Sequence, residues 1–78
     1  MWDLVIMDDT GDVSAPATYD ELDLVATEIF TWLSIGAIAF TVNGDIVDVF
    51  QSTSEIGVYT DILLNGLVIG TEFESAKA

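Results

Sequence analysis

The chain has 78 residues, no cysteine and no histidine, and a formal net charge of −13 at pH 7 from fourteen acidic residues and one lysine. This composition excludes disulfides, the usual zinc sites and nucleophilic Cys/His pairs. Without a Lys/Arg cluster, a basic patch for nucleic acid or an anionic membrane is also excluded. The 51% share of hydrophobic residues is too high for a disordered acidic tail, so we expect one small folded domain spanning residues 1–78.

The first seventeen residues predict a strand followed by an acidic loop. Residues 1–7 are rich in β-branched and aromatic side chains, and their alternation places Trp2, Leu4 and Ile6 on one face. Residues 8–17 are rich in Asp, Gly, Ser and Pro, the residue types of turns. No basic segment or cleavage site that would indicate a signal peptide precedes the loop.

Residues 18–35 carry the helical pattern of the chain. Apolar residues recur there at the i, i+3, i+4, i+7 spacing that forms one stripe on a helix. Thr18 with Glu21 predicts a capping box at the start of the helix. Gly36 predicts its end, because glycine readily takes the left-handed conformation. On the outer flank, exposed Leu24 and Ile35 indicate a partner or dimer contact.

Two hairpins are predicted after the helix, each with an Asn-Gly turn. In the first, pairing Val42 with Asp45 places Ile38, Phe40, Val42, Val47 and Val49 on one face, with Thr41 and Asp48 on the other. In the second, pairing Leu64 with Leu67 directs Val58, Ile62, Leu64, Leu67, Ile69 and Phe73 inward, with Asp61 and Glu72 outward.

The pattern predicts an α+β fold in which one amphipathic helix packs on an antiparallel sheet of about five strands, in the order β-α-β-β-β-β. An alternative stays open at residues 53–64, where Ser52 and Glu55 form a second capping box before residues at helical spacing. A helix there would give the ferredoxin-like order β-α-β-β-α-β. Gly57 and β-branched Val58 and Thr60 favour the strand.

Three other interpretations of the sequence were weighed. Asp9, Thr10 and Gly11 follow an apolar strand, which is similar to the Asp-Thr-Gly motif of retroviral-type aspartic proteases and implies aspartates paired in a homodimer. Asp12 and the helix that follows depart from that family, and a simple turn explains the motif.

The acidic loop lacks the EF-hand spacing of a calcium site. Residues 24–42 have the length of a membrane span, but polar residues interrupt them and no Lys/Arg flanks them.

The acidic residues fall into groups along the chain, which favours a surface that binds a basic partner. The expected partner is a nucleic-acid-binding protein whose groove is rich in Lys and Arg. We expect no direct contact with nucleic acid, no membrane, no metal, no cofactor and no catalytic residue. A homodimer is an open alternative. The candidate acidic contacts are Asp20, Asp23, Glu28, Asp45, Asp48, Glu21, Asp8, Asp9 and Asp12. The candidate apolar contacts are Tyr19, Leu24 and Phe30.

In size and composition the chain resembles the small acidic DNA-mimic proteins of bacteriophages and mobile elements, including anti-CRISPR and anti-restriction proteins. The resemblance implies a non-enzymatic inhibitor that acts in the host cytoplasm and occludes the nucleic-acid groove of a Cas effector, a restriction enzyme or another DNA-processing enzyme. The alternative is an acidic structural or assembly module of a phage or archaeon that dimerises and has no such partner.

Overall fold

A computed structural model describes residues 1–14 and 17–76, in which one α-helix packs against a six-stranded antiparallel sheet. In chain order the elements are β1 (Trp2–Met7), β2 (Ala17–Tyr19), α1 (Leu22–Ser34), β3 (Ala39–Val42), β4 (Asp45–Ser54), β5 (Gly57–Leu64) and β6 (Leu67–Ser75). The strand order across the sheet is β2-β1-β3-β4-β5-β6. The predicted α+β class is confirmed, with six strands in place of about five.

The additional strand is β2, at the point where the sequence predicted the end of a loop and the start of the helix. It pairs with β1 through Trp2 opposite Tyr19 and Leu4 opposite Ala17. The Thr18 hydroxyl donates a hydrogen bond to Asp3 Oδ1 at 2.8 Å. Thr18 is therefore extended and already bonded across the sheet, and the prediction that it caps the helix is wrong.

Helix α1 is shorter than predicted and begins without a side-chain cap. Its N-cap is Glu21, which has extended backbone angles and makes no capping hydrogen bond. At the other end, the prediction of Gly36 as the stop is confirmed. Gly36 has φ +103, and the amides of Gly36 and Ala37 donate to the carbonyls of Leu33 and Trp32 at 3.3 and 3.0 Å. This pair of bonds is the Schellman motif.

Both Asn-Gly hairpins form with the predicted pairing next to their turns. Val42 pairs with Asp45 and Leu64 with Leu67, and positive φ at both Asn and Gly matches the turn that suits the twist of paired strands. The helix considered for residues 53–64 is wrong, because Ser54 pairs with Gly57 and β5 pairs with β4 along its whole length. Two flanking strands satisfy its backbone, which overrides the local helical spacing.

A bulge in β6 changes which of its side chains face the helix. The register shifts between Ile62, which pairs with Gly70, and Leu63, which pairs with Val68, so Ile69 is the extra residue. Beyond the bulge, Glu72 pairs with Thr60 and Phe73 with Tyr59. Because side chains alternate along a strand, Glu72 shares the face of Ile62, and Phe73 lies on the opposite face. The predicted inward Phe73 and outward Glu72 are therefore both wrong.

The core lies between α1 and one face of the sheet. Val25 and Ile29 of the helix are completely buried, and they pack in one cluster with the buried strand residues Leu4, Ile6, Phe40, Val42, Val47, Ile62 and Leu64. Helix α1 contacts β6 at one edge of the sheet and β1 and β2 at the other. The sheet therefore curls around the helix.

Residues 24–42, which have the length of a membrane span, belong to two different elements. Helix α1 ends at Ser34, and β3 begins at Ala39 after the Gly36 turn. Across residues 1–14 and 17–76, none of the helices combines the length and the apolar character that a bilayer crossing demands.

The helix and the sheet approach each other closely at Gly70. A Cβ added at Gly70 would lie 2.9 Å from Ala26 Cβ, 3.1 Å from Phe30 Cε2 and 3.4 Å from Ile62 Cδ1. Ala26 Cβ is bonded directly to the helix backbone, so it cannot move unless α1 moves. Glycine at this position therefore lets the helix close onto β6.

We expect Gly70→Ala to destabilise the fold by about 1–3 kcal/mol, the usual cost of overpacking a well-packed contact. Chemical denaturation of Gly70→Ala, Ala26→Gly and the double variant would test this explanation. Ala26→Gly alone should cost about 1 kcal/mol of helix propensity, and it should reduce the effect of Gly70→Ala in the double variant. Strictly additive effects would show that the Ala26 contact is not the cause.

Candidate partner-binding surface

The carboxylates of the described residues all reach solvent. No polar or charged side chain is buried among them, and no described residue is a Lys or Arg, because the only basic side chain, Lys77, lies outside the described residues. Their negative charge is therefore not balanced by any cationic side chain in the same part of the chain. Such a surface repels itself and attracts a cationic partner.

A groove between α1 and β6 has one carboxylate on each of its walls. The groove has a volume of about 560 Å³ and is lined by carboxylates, hydroxyls and an aromatic ring. Asp23 on the helix and Glu72 on the strand contribute the two carboxylates. Its remaining lining residues are Ala26, Thr27, Phe30, Thr31, Ser34, Ile69, Gly70 and Thr71. The Glu72 position depends on the β6 bulge, which turns this side chain toward the helix.

Hydroxyl groups along the helix wall of the groove are held in fixed positions. Thr27 and Thr31 donate to the carbonyls of Asp23 and Thr27 at 3.0 and 3.1 Å, and Ser34 donates to the carbonyl of Thr31 at 2.6 Å. Because each hydroxyl hydrogen is used within the helix, the oxygen lone pairs remain to accept hydrogen bonds. The groove can therefore accept from an ammonium or guanidinium group.

The opposite flank of the helix is also acidic. Trp32 Nε1 donates a hydrogen bond to Glu28 Oε1 at 2.9 Å, which holds this carboxylate in place one turn back along the helix. Trp32 also lines a small cavity together with Asp8 and Asp12 of the loop after β1. Acids from the loop and from the helix therefore meet beside Trp32.

Tyr19 lies beside this flank, and the charge of the flank affects its pKa. The side chain is half-buried and packs against the core. Burial, together with the negative charge of Glu28, raises the pKa of the Tyr19 hydroxyl above its usual value. Tyr19 therefore stays neutral in the folded protein to a higher pH than a free tyrosine.

The loop with the Asp-Thr-Gly string is a turn organised by Asp8. Asp8 Oδ1 accepts hydrogen bonds from the Thr10 amide, the Thr10 hydroxyl and the Asp12 amide, at 3.0, 2.7 and 3.0 Å. These bonds, above all the one from the Thr10 hydroxyl, lower the pKa of Asp8. Asp9, the acid of the protease-like string, is exposed. Within the described residues no group of three or more potential ligands could hold a metal ion.

We call the helix and the sheet face that it covers the helix side, and the opposite sheet face the outer face. Asp20 and Glu21 adjoin the start of α1, and Asp23 and Glu28 lie on its two flanks. Asp45 follows the first hairpin turn, where Asn65 Nδ2 donates to its Oδ2 at 3.1 Å. Asp48 pairs with Leu63 and lies on the outer face, because Val47 faces the core. One flat partner could not contact both Asp23 and Asp48.

The three candidate apolar contacts are also separated. Leu24 is 51% exposed on the solvent-facing side of α1. Phe30 lies in the groove on one flank, whereas Tyr19 lies near Glu28 on the other. Of the three, Leu24 alone is exposed, and a partner can reach it without a rearrangement.

Two residues of this surface were missed by the sequence reasoning. Glu72 lies on the face opposite to the predicted one because of the β6 bulge, and Gly70 within the strand pattern is the signal that could have indicated it. Trp32 was assigned only to the core, although its i, i+4 spacing from Glu28 is a signal for a side-chain pair on a helix. That spacing could have indicated that Glu28 is held in place.

Comparisons with protein-family models, with curated proteins and with solved structures found no match. The functional inference therefore rests on the residues and on their arrangement.

We expect Glu28→Gln to lower the pKa of Tyr19 without restoring its usual value, because the charge is lost while burial remains. Glutamine keeps an oxygen that can accept from Trp32, so the helix contact survives. Spectrophotometric titration in a Tyr59→Phe background, in which Tyr19 is the only remaining tyrosine, would measure the pKa. Asp45→Asn is the matched control, since Asp45 does not raise the pKa of Tyr19; an equal shift in both variants would exclude a specific effect of Glu28.

The same raised pKa has a consequence for stability. Tyr19 favours the folded state while its hydroxyl is protonated in both states, and this contribution is lost as the pH rises from about 10 through the folded-state pKa. We therefore expect Tyr19→Phe to show a smaller loss of stability than the unaltered chain in that pH range. Denaturation curves at pH 9 and above would check it, and parallel losses in both chains would contradict it.

Proposed function

We propose that this protein is a non-enzymatic inhibitor that presents its helix side to the Lys/Arg-rich groove of a nucleic-acid-binding protein and competes there with DNA or RNA. The supporting observation is that carboxylates flank α1 on both sides with no Lys or Arg among the described residues. A Cas effector or a restriction enzyme in a host cytoplasm is the kind of target that this proposal names.

The charge density indicates how the inhibitor acts. Thirteen net charges on 5224 Å² of surface average one per roughly 400 Å², whereas B-DNA has roughly one phosphate per 110 Å² of its cylinder. The protein therefore copies the sign of the phosphate backbone and not its spacing. Long-range attraction accelerates association with a cationic groove, and apolar contacts must provide part of the affinity.

Leu24 and the α1–β6 groove are suited to that second role. Leu24 projects from the helix between the two acidic flanks. The groove offers Asp23 and Glu72 to a cationic head group, and Phe30 and Ala26 to the aliphatic stem of the same side chain. A lysine or arginine from the partner can therefore be held by charge and by packing.

A pull-down from a bacterial lysate at low and high salt tests the proposal directly. We expect a nucleic-acid-binding protein to be recovered at about 50 mM salt and to be lost at about 500 mM, because screening weakens exposed charge pairs. Added DNA or RNA should compete with the immobilised protein. Recovery of no such protein at low salt would reject the proposal.

Two charge-reversal variants test the surface. Asp20→Lys with Asp23→Lys should weaken binding to the recovered partner by about tenfold or more, mainly through slower association. Asp48→Lys with Asp61→Lys makes the same change in net charge on the outer face and serves as the control, with a smaller expected effect. Circular dichroism would establish that both remain folded. Equal losses would show that net charge acts without a preferred side.

The alternative function, an acidic assembly module that dimerises, also has one specific observation in its favour. The outer face carries large apolar side chains that nothing in the described structure covers. A protein whose only function was electrostatic would not need them.

A further inference from the structure

The outer face carries several large apolar side chains that are exposed. Its exposed residues include Ile46 at 73%, Phe50 at 57%, Val68 at 49%, Phe73 at 44% and Tyr59 at 38%. Single exposed apolar residues are common on protein surfaces, but a contiguous apolar patch marks an interaction site.

The strand register places them together. Tyr59 pairs with Phe73, and their ring centroids are 4.7 Å apart. Leu63 pairs with Val68 on the same face, and Phe50 pairs with Asp61, between the Tyr59 and Leu63 positions of β5. The patch thus extends over β4, β5 and β6.

Two backbone features keep Phe73 in this patch. The bulge at Ile69 reverses the alternation of β6 and turns Phe73 to the outer face. Gly57 then leaves space for its ring, because a Cβ there would lie 2.8 Å from Phe73 Cε1 and would also collide with the Glu74 carbonyl. The bulge and Gly57 together place an aromatic ring on a face that is exposed to solvent.

The outer face carries only a few of the fourteen acidic residues. By strand alternation, three acids lie on it: Asp3, Asp48 and Asp61. Asp3 accepts from the Thr18 hydroxyl and Asp61 from the Thr71 hydroxyl, each at 2.8 Å. Asp48 alone has no hydrogen bond in the described structure that would hold it.

The exposed area is in the range that a dimer needs. The surface of 5224 Å² exceeds by about 600 Å² the roughly 4,600 Å² expected for a compact monomer of this mass. A standard interface buries roughly 800 Å² on each partner. The chain as a whole therefore exposes an excess comparable to one half of an interface.

We propose that the outer face binds the outer face of a second copy of this chain, forming a symmetric dimer centred on Phe50, Tyr59 and Phe73. Two chains of charge −13 repel each other, so they can approach only where the charge is lowest. Face-to-face packing of the two sheets buries the apolar patches and leaves both helix sides directed outward. This assembly does not depend on the proposed inhibitory function.

Sedimentation equilibrium of the full chain, at several concentrations and two salt concentrations, tests the dimer. We expect a dimer that becomes tighter as salt rises, because salt screens the repulsion between like charges. This response is opposite in sign to that expected for a basic partner, so the two proposals can fail separately. A monomer at every concentration and salt tested would overturn the dimer.

Matched variants locate the interface. Ile46→Thr with Phe50→Thr keeps β propensity, removes apolar surface, and should raise the dimer Kd by about tenfold or more. Leu24→Gln with Ile35→Gln removes the exposed apolar pair of the helix side and should leave the Kd unchanged. Circular dichroism confirms that each variant is folded. If the helix-side pair abolishes the dimer and the outer-face pair does not, the proposed interface is wrong.

Discussion

The close packing of α1 against β6 at Gly70 is the contact on which the rest of the arrangement depends. The helix touches the sheet at both of its edges, and it can do so only because the sheet curls and because Gly70 has no side chain to separate it from Ala26. This closure buries Val25 and Ile29 completely. It also creates the groove between Asp23 and Glu72, so the core and the candidate surface share one structural origin.

The charge constrains how such a small core can be built. About 600 Å² of excess surface and uncompensated carboxylates both oppose compaction, while a chain of 78 residues has a core that provides only a few kcal/mol of net stability. Hydrogen bonds from nearby groups therefore help to stabilise several of the carboxylates in the folded state. Asp8 organises its own turn, and Asp3 and Asp61 each accept from a threonine on a neighbouring strand.

The sequence predicted well the features that depend on local chemistry. Asn43-Gly44 and Asn65-Gly66 determine their turns through a backbone conformation that few other residue pairs adopt, so the pairing next to each turn could be predicted. Gly36 ended the helix for the same kind of reason. Where the predicted start of the helix was wrong, a distant strand decided the outcome, because Thr18 pairs with Asp3 on β1. The strand favoured for residues 57–64 is confirmed, because β4 and β6 satisfy its backbone on both sides.

The bulge at Ile69 shows why the surfaces were harder to predict than the fold. A shift of one residue does not alter the strand, its partner or its turn, but it exchanges the two faces for every residue beyond it. The exchange brings Glu72 beside the helix and Phe73 to the outer face, and so makes one side of β6 more acidic and the other more apolar. The apolar alternation within residues 67–75 does not distinguish the two registers, because Phe73 inward and Glu72 outward would alternate equally well, and Gly70 is the one residue there that is typical of a bulge. The difference arises from the helix: Gly70 must face Ala26 for α1 to close onto the sheet, and the extra residue places it there. Tertiary packing at one glycine thus determines both faces of the molecule.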